Sequence, residues 1–180
     1  MNVEALFRTR VERLTRARDV TGIVRILADP HEAAHERAGA ASALIELREA
    51  LGEARPAGVR ALLEVADQPG VFVRWQALLA LAELRVREAM PVFRRAARDR
   101  EWLVRVFAAH GFDRLGDAVA FGDAVRLLED RESQVREAAA SALGAMRDQR
   151  ALPLLERAAR ADAMRSVREA AAAALDALGR

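Results

Sequence analysis

A Val-Arg dipeptide returns at Val73-Arg74, Val104-Arg105, Val135-Arg136 and Val167-Arg168, at intervals of 31, 31 and 32 residues. A weaker copy begins at Glu36-Arg37, 37 residues before Val73. A period this short describes one supersecondary unit, and such a unit cannot bury its apolar face alone. The register extends past the dipeptide. Four residues after each start stands Ala40, Ala77, Ala108, Ala139 or Ala171, and seven after it Ala43, Ala80, Gly111, Ala142 or Ala174. Large apolar residues follow at plus eight (Leu44, Leu81, Phe112, Leu143, Leu175) and at plus eleven (Leu47, Leu84, Leu115, Met146, Leu178). Positions 0, 4, 7, 8 and 11 share one face of an α-helix, and the small residues on that face let a neighbouring helix come close.

A second, shorter helix precedes each of these, with the apolar triplets Val20, Ile23 and Leu27; Val59, Leu62 and Ala66; Met90, Phe93 and Ala97; Phe121, Ala124 and Leu128; Leu152, Leu155 and Ala159. Pro91 and Pro153 recur one residue into it, where a missing N–H costs little. Gly116 and Gly144 mark the ends or near-ends of helices. Composition agrees: 41 of 180 residues are Ala and every basic residue is Arg, both strong helix formers, against 10 Gly and 5 Pro. Asp99, Asp130 and Asp162 stand six residues before Arg105, Arg136 and Arg168. Each acid is therefore expected to meet the Arg in the first turn of the helix that follows it, and the pairs to form a ladder. The second copy departs from this, with Gln68 in the aligned place and Asp67 one residue early.

Segments such as Ala151-Leu-Pro-Leu-Leu and Val167-Arg-Glu-Ala-Ala-Ala-Ala-Ala-Leu resemble HEAT repeats, in particular the short HEAT-like repeats of phycobilisome lyases. The resemblance covers about residues 19–179. It implies an all-α, right-handed α-solenoid of about five hairpins (19–50, 57–86, 88–116, 118–147 and 150–179) preceded by a capping helix over 1–18, all in one domain. It also implies that the second helices line the concave face. Members similar in architecture include chromophore lyase subunits, an iron-dependent hydroxylase, base-excision glycosylases and many scaffolds, so function has to be argued from residues.

Composition excludes several classes. Without Cys there are no disulfides, thiolate metal sites or cysteine nucleophiles. No apolar run approaches the roughly 18 residues of a membrane span. Residues 1–16 lack the apolar core and cleavage site of a signal peptide, which points to a cytoplasmic protein. The calculated pI of about 10.6 belongs to a chain with net charge of only +2. With no Lys, Tyr or Cys, nothing titrates between the three His near roughly 6.5 and Arg above roughly 12, so the figure is no argument for nucleic acid. Charges alternate in sign, which argues against a glycosylase as well.

In an array, shared residues hold the stack and a recognition site is sought where copies differ. At plus two and plus six of the second helices stand Ala38 and Ser42, Trp75 and Leu79, Val106 and His110, Glu137 and Ser141, Glu169 and Ala173. Trp75, Leu79, Val106 and His110 are expected to form a contiguous, mostly apolar patch for a protein or peptide partner, with Arg74, Asp113 and Arg114 at its rim. Trp102 and Phe72 are placed just before second helices, near turns at one edge, and Trp102 is expected to cover the seam between repeats rather than a ligand. His110 and Asp113 are spaced to pair. His31-Glu32-Ala33-Ala34-His35 has the His spacing of a helical zinc site, but a third ligand is missing and the Val-Arg of other copies replaces the His-Glu pairs of the hydroxylase. No catalytic residue and no cofactor is assigned. The reading is a non-enzymatic scaffold of undetermined oligomeric state, with an enzyme or enzyme subunit of the same family as the alternative. Residues 48–58, with Gly52, Pro56 and Gly58, are expected to lengthen one helix and act as a hinge.

Overall fold

The structure, a computed structural model, describes residues 9–179. Among these residues lie eleven α-helices and no strand. They are α1 (Arg10–Arg16), α2 (Val20–Ala28), α3 (Ala34–Glu46), α4 (Arg55–Val65), α5 (Val71–Glu83), α6 (Met90–Ala96), α7 (Trp102–Leu115), α8 (Phe121–Leu127), α9 (Ser133–Ala145), α10 (Leu152–Ala161) and α11 (Arg165–Ala177). None of them is long and apolar enough to cross a membrane. Contacts divide the chain into two units, one ending at Leu84 and the other starting at Arg85.

The first unit holds the hairpins α2–α3 and α4–α5, stacked through α2 on α4 and α3 on α5. Helix α1 packs on α2 and α3, and a capping box of Thr9 and Glu12 closes its N-terminus. The first eight residues of the expected capping helix lie outside the described residues. The second unit holds α6–α7, α8–α9 and α10–α11, with α7 on α9 and α9 on α11.

The small-residue register does what its spacing requires. Ala40, Ala77, Ala108, Ala139 and Ala171 are all fully buried, and Gly111 sits under the Phe93 ring from α6. Gly144 stands at the near-end of α9, one residue before its last, as the sequence reading has it. It lies inside the helix, where a Cβ would come within 2.8 Å of the Ala174 Cβ on α11, so glycine there sets the distance between two helices. Gly116 does end α7, in the left-handed conformation at φ 60°. First-turn prolines open α4, α6 and α10.

The junction after α3 is not a lengthened helix. Residues 48–54 form two short 3-10 turns around Leu51, which is 3% exposed. Gly58, counted above as a breaker, lies within α4 against Leu44 and Val24, and Arg55 Nη2 donates to the Leu84 carbonyl at 3.0 Å. A buried leucine and a packed glycine anchor the segment that glycine and proline content had marked as loose.

Candidate functional site

On α5, in the first unit, the buried stripe Val73, Ala77, Leu78, Ala80 and Leu81 leaves Trp75 and Leu79 on a half-buried flank. Phe72 belongs to α5 rather than to the turn before it and is 46% exposed. Its ring meets Trp75 edge to face, with centroids 5.5 Å apart at 79°, which orients the indole. Arg74 is half-buried and its Nη1 reaches the Gln68 carbonyl at 3.5 Å, tying α5 to its own turn.

On α7, in the second unit, Val106 and His110 lie one turn apart and are both half-buried. His110 stands edge-on to Phe107 at 6.4 Å and 85°. Asp113 and Arg114 follow in the last turn, half-buried, and the Arg114 carbonyl accepts from Arg85 Nη1 at 3.3 Å. Trp102 begins α7 and is 40% exposed. The expected patch is thus made of one pair on each unit. The corresponding positions of α9 and α11 carry Glu137 and Ser141, Glu169 and Ala173.

The His31–His35 segment has no shared helical face, because α3 begins only at Ala34. His31 N–H donates to Asp29 Oδ1 in the preceding turn. Glu32 takes a hydrogen bond from Arg10, and the Glu36 carboxylate accepts from the backbone N–H groups of Arg10 and Val11, so it caps α1. His35 lines an open cleft of about 560 Å³ between α1 and α3 with Glu12, Glu36 and Glu46. Among the described residues no three His, Asp or Glu side chains converge in a manner suited to a metal.

The ladder exists with different partners. Arg105 Nε and Nη2 donate to the Asp130 carboxylate at 2.7 and 2.8 Å, and Arg136 does the same to Asp162 at 2.8 and 2.9 Å. Each arginine therefore reaches the acid of the following hairpin. Toward its own turn it offers Nη1, to the carbonyls of Asp99 and Arg100, or of Asp130 and Arg131. The acid is also fixed locally, since Asp130 and Asp162 accept from the N–H groups of Glu132 and Met164. Arg136 holds the Asp162 carboxyl below the usual carboxylate range despite partial burial. Burial pushes Asp130 up, but donation from Arg105 and the Glu132 N–H outweighs it and leaves that carboxyl lowered too. In the first unit Arg37 follows the same plan, donating to the Leu27 carbonyl and to Gln68 Oε1 at 2.6 Å.

Sequence reasoning missed Asp123. This α8 carboxylate is 4% exposed and accepts from Arg94 Nε at 2.6 Å, Arg98 Nη2 at 2.8 Å and Arg126 Nη2 at 3.4 Å. Its signal was present: 31 residues either side, the register holds Val92 and Leu154, so a charge stands where other copies are apolar.

A family model for HEAT repeats matches residues 95–176, and over that stretch the chain resembles HEAT-repeat proteins. No curated protein matches the sequence. Among solved structures, the complex of CpcE and CpcF of phycocyanin lyase from Nostoc sp. PCC7120 superposes with a TM-score of 0.78 at 25% identity, over 89% of this chain and 65% of that one. This chain therefore spans just under two thirds of the length of that lyase chain. A designed armadillo repeat protein in complex with the peptide (KR)4 gives 0.72 at 19% identity, covering 94% of this chain and 85% of that one. Human deoxyhypusine hydroxylase in complex with glycerol gives 0.57 at 20% identity, covering 93% and 76%. The last two likenesses are of fold alone.

Proposed function

We propose that this chain is a non-enzymatic scaffold that holds a protein or peptide on the exposed flank of its second helices. Trp75 and Leu79 on α5 and Val106 and His110 on α7 supply the contacts, and Arg74, Asp113 and Arg114 beside them set orientation. The observation that carries this reading is the contrast between copies. At the same two positions, α5 and α7 keep an indole, two aliphatic groups and an imidazole partly exposed, whereas α9 and α11 present Glu, Ser and Ala. An indole already held edge-on by Phe72 loses little freedom when a partner covers it, and Trp is enriched among residues that dominate binding energy. A designed armadillo repeat protein of similar fold is in complex with the peptide (KR)4, which supports a peptide-binding role for this fold here.

The test is selection of peptides from a displayed random library against the whole chain, followed by affinity measurement on variants. Trp75→Ala is expected to weaken a selected peptide about 30-fold, the equivalent of about 2 kcal/mol, with the melting temperature unchanged. His110→Ala is expected to weaken it less. Unchanged affinity in Trp75→Ala, or outright unfolding, would assign the indole to packing and remove it from the site.

The lyase likeness supports a second reading, a lyase subunit that acts with a partner chain. Co-purification with a phycocyanin subunit, insensitive to Trp75→Ala, would favour that reading over the first.

A further inference from the structure

The last hairpin of the second unit carries half of a contact that the preceding hairpins complete. Arg105 and Arg136 each turn Nη1 back to the carbonyls of their own turn and point Nε and Nη2 at the aspartate of the hairpin beyond. Arg168 on α11 makes the backward half, donating Nη1 to the carbonyls of Asp162 and Ala163 at 2.7 and 3.1 Å. No carboxylate among the described residues takes up the forward edge of its fork.

The helix surface beside it is open in the same sense. On α9, Ala140 and Gly144 lie four and eight residues after Arg136, and both are buried, Gly144 against Ala174 of α11. Their counterparts on α11, Ala172 and Asp176, are exposed. Leu175 and Leu178 are only half covered, whereas their counterparts Leu143 and Met146 are buried.

We propose that this face joins two copies of the chain through an antiparallel pairing of α11 with α11 about a two-fold axis at Ala172. The choice of a second copy rests on charge complementarity. In an antiparallel pair centred on residue 172, residue 168 of one helix falls opposite residue 176 of the other. At 1.5 Å per residue each charge stands about 6 Å from the centre, so one operation sets two Arg168–Asp176 pairs. Arg168, Ala172 and Asp176 are spaced i, i+4 and i+8 and share a face, with the small residue at the crossing, where the backbones must approach. Arg168 is already held along one edge by two carbonyls, so its free edge is oriented before the partner arrives. Leu175 and Leu178 gain the cover that the corresponding side chains have within the array.

Sedimentation velocity of the whole chain across a rising micromolar concentration series tests this. Wild type is expected to pass from monomer to dimer. Arg168→Asp and Asp176→Arg each place like charges opposite one another twice in the dimer and are expected to raise the dissociation constant about tenfold or more. The double variant, Arg168→Asp with Asp176→Arg, restores opposite charges and is expected to dimerise again, while circular dichroism reports whether each variant is folded. A wild type that stays monomeric overturns the proposal. So does a dimer indifferent to both single changes, or a folded double variant that fails to recover association.

Discussion

At the scale of single residues, Phe93 and Gly111 are coupled. The other copies place Ile23, Leu62, Ala124 or Leu155 where Phe93 stands, and Ala where Gly111 stands. Phe93 is fully buried, and a Cβ on Gly111 would come within 2.4 Å of two of its ring carbons. Gly111→Ala is therefore expected to cost about 1–3 kcal/mol in urea unfolding, as overpacking of a filled core does. Adding Phe93→Leu should return part of that loss, and strictly additive losses in the double variant would show that the two sites do not touch. Each residue was legible separately, one as a core position and one as a small residue in the stack. Their dependence was not, because periodicity assigns residues to faces and says nothing about which ring occupies which hollow. The ladder shows the same limit. An acid six residues before one arginine is also 25 residues after the arginine of the preceding copy in the case of Asp130 and Arg105, and a repeating pattern fits both pairings. Only the Asx turn, which fixes the carboxylate against the N–H two residues on, settles that it faces the earlier hairpin.

At the scale of elements, what holds the second helices in place is unusual capping. Helices α5, α7, α9 and α11 have no side-chain hydrogen bond from their N-cap residues. In the second unit the turn aspartate and the arginine in the first helical turn orient the entry instead, and Asp99, Asp130 and Asp162 accept from the N–H two residues on. The junction after α3 is the element on which sequence and structure part most clearly. Gly52 and Gly58 are breakers by composition, yet Gly52 supplies the positive φ of a tight 3-10 turn and Gly58 makes room for Leu44 and Val24. Leu51 carries the difference, since one buried leucine converts a linker into a packed element. Leu51→Ala is expected to cost about 2–4 kcal/mol and to raise amide exchange between α3 and α4. If the change costs nothing and exchange there is already fast in wild type, the hinge expected from the sequence is the better description.

At the scale of the whole molecule, hairpin number, helix pairing and core register were legible because five copies report the same face five times. The candidate site was legible only as a list of departures from that pattern, and how exposed each departure is depended on packing that the pattern does not encode. The ladder also governs how the molecule responds to acid. Asp130 and Asp162 titrate below their ordinary range in the fold, so their protonation favours the unfolded chain. Their contribution is fully present above the unfolded aspartate value of about 4 and disappears as pH falls through the lower folded values. The urea midpoint is expected to drop from about pH 5 to about pH 2, and Asp162→Asn to start lower at neutral pH but decline less steeply. An unchanged slope in that variant would place the acid sensitivity elsewhere.

Because Arg105 and Arg136 each reach forward to the turn aspartate of the next hairpin, the bond between those neighbours depends on offset rather than on the identity of a particular pair. Excising or duplicating one complete copy leaves each donor with an acceptor ahead of it, whereas removing a fraction of a copy strands one of each. Such a chain is suited to change its length in whole steps, so the number of copies can drift while the joint between them stays the same.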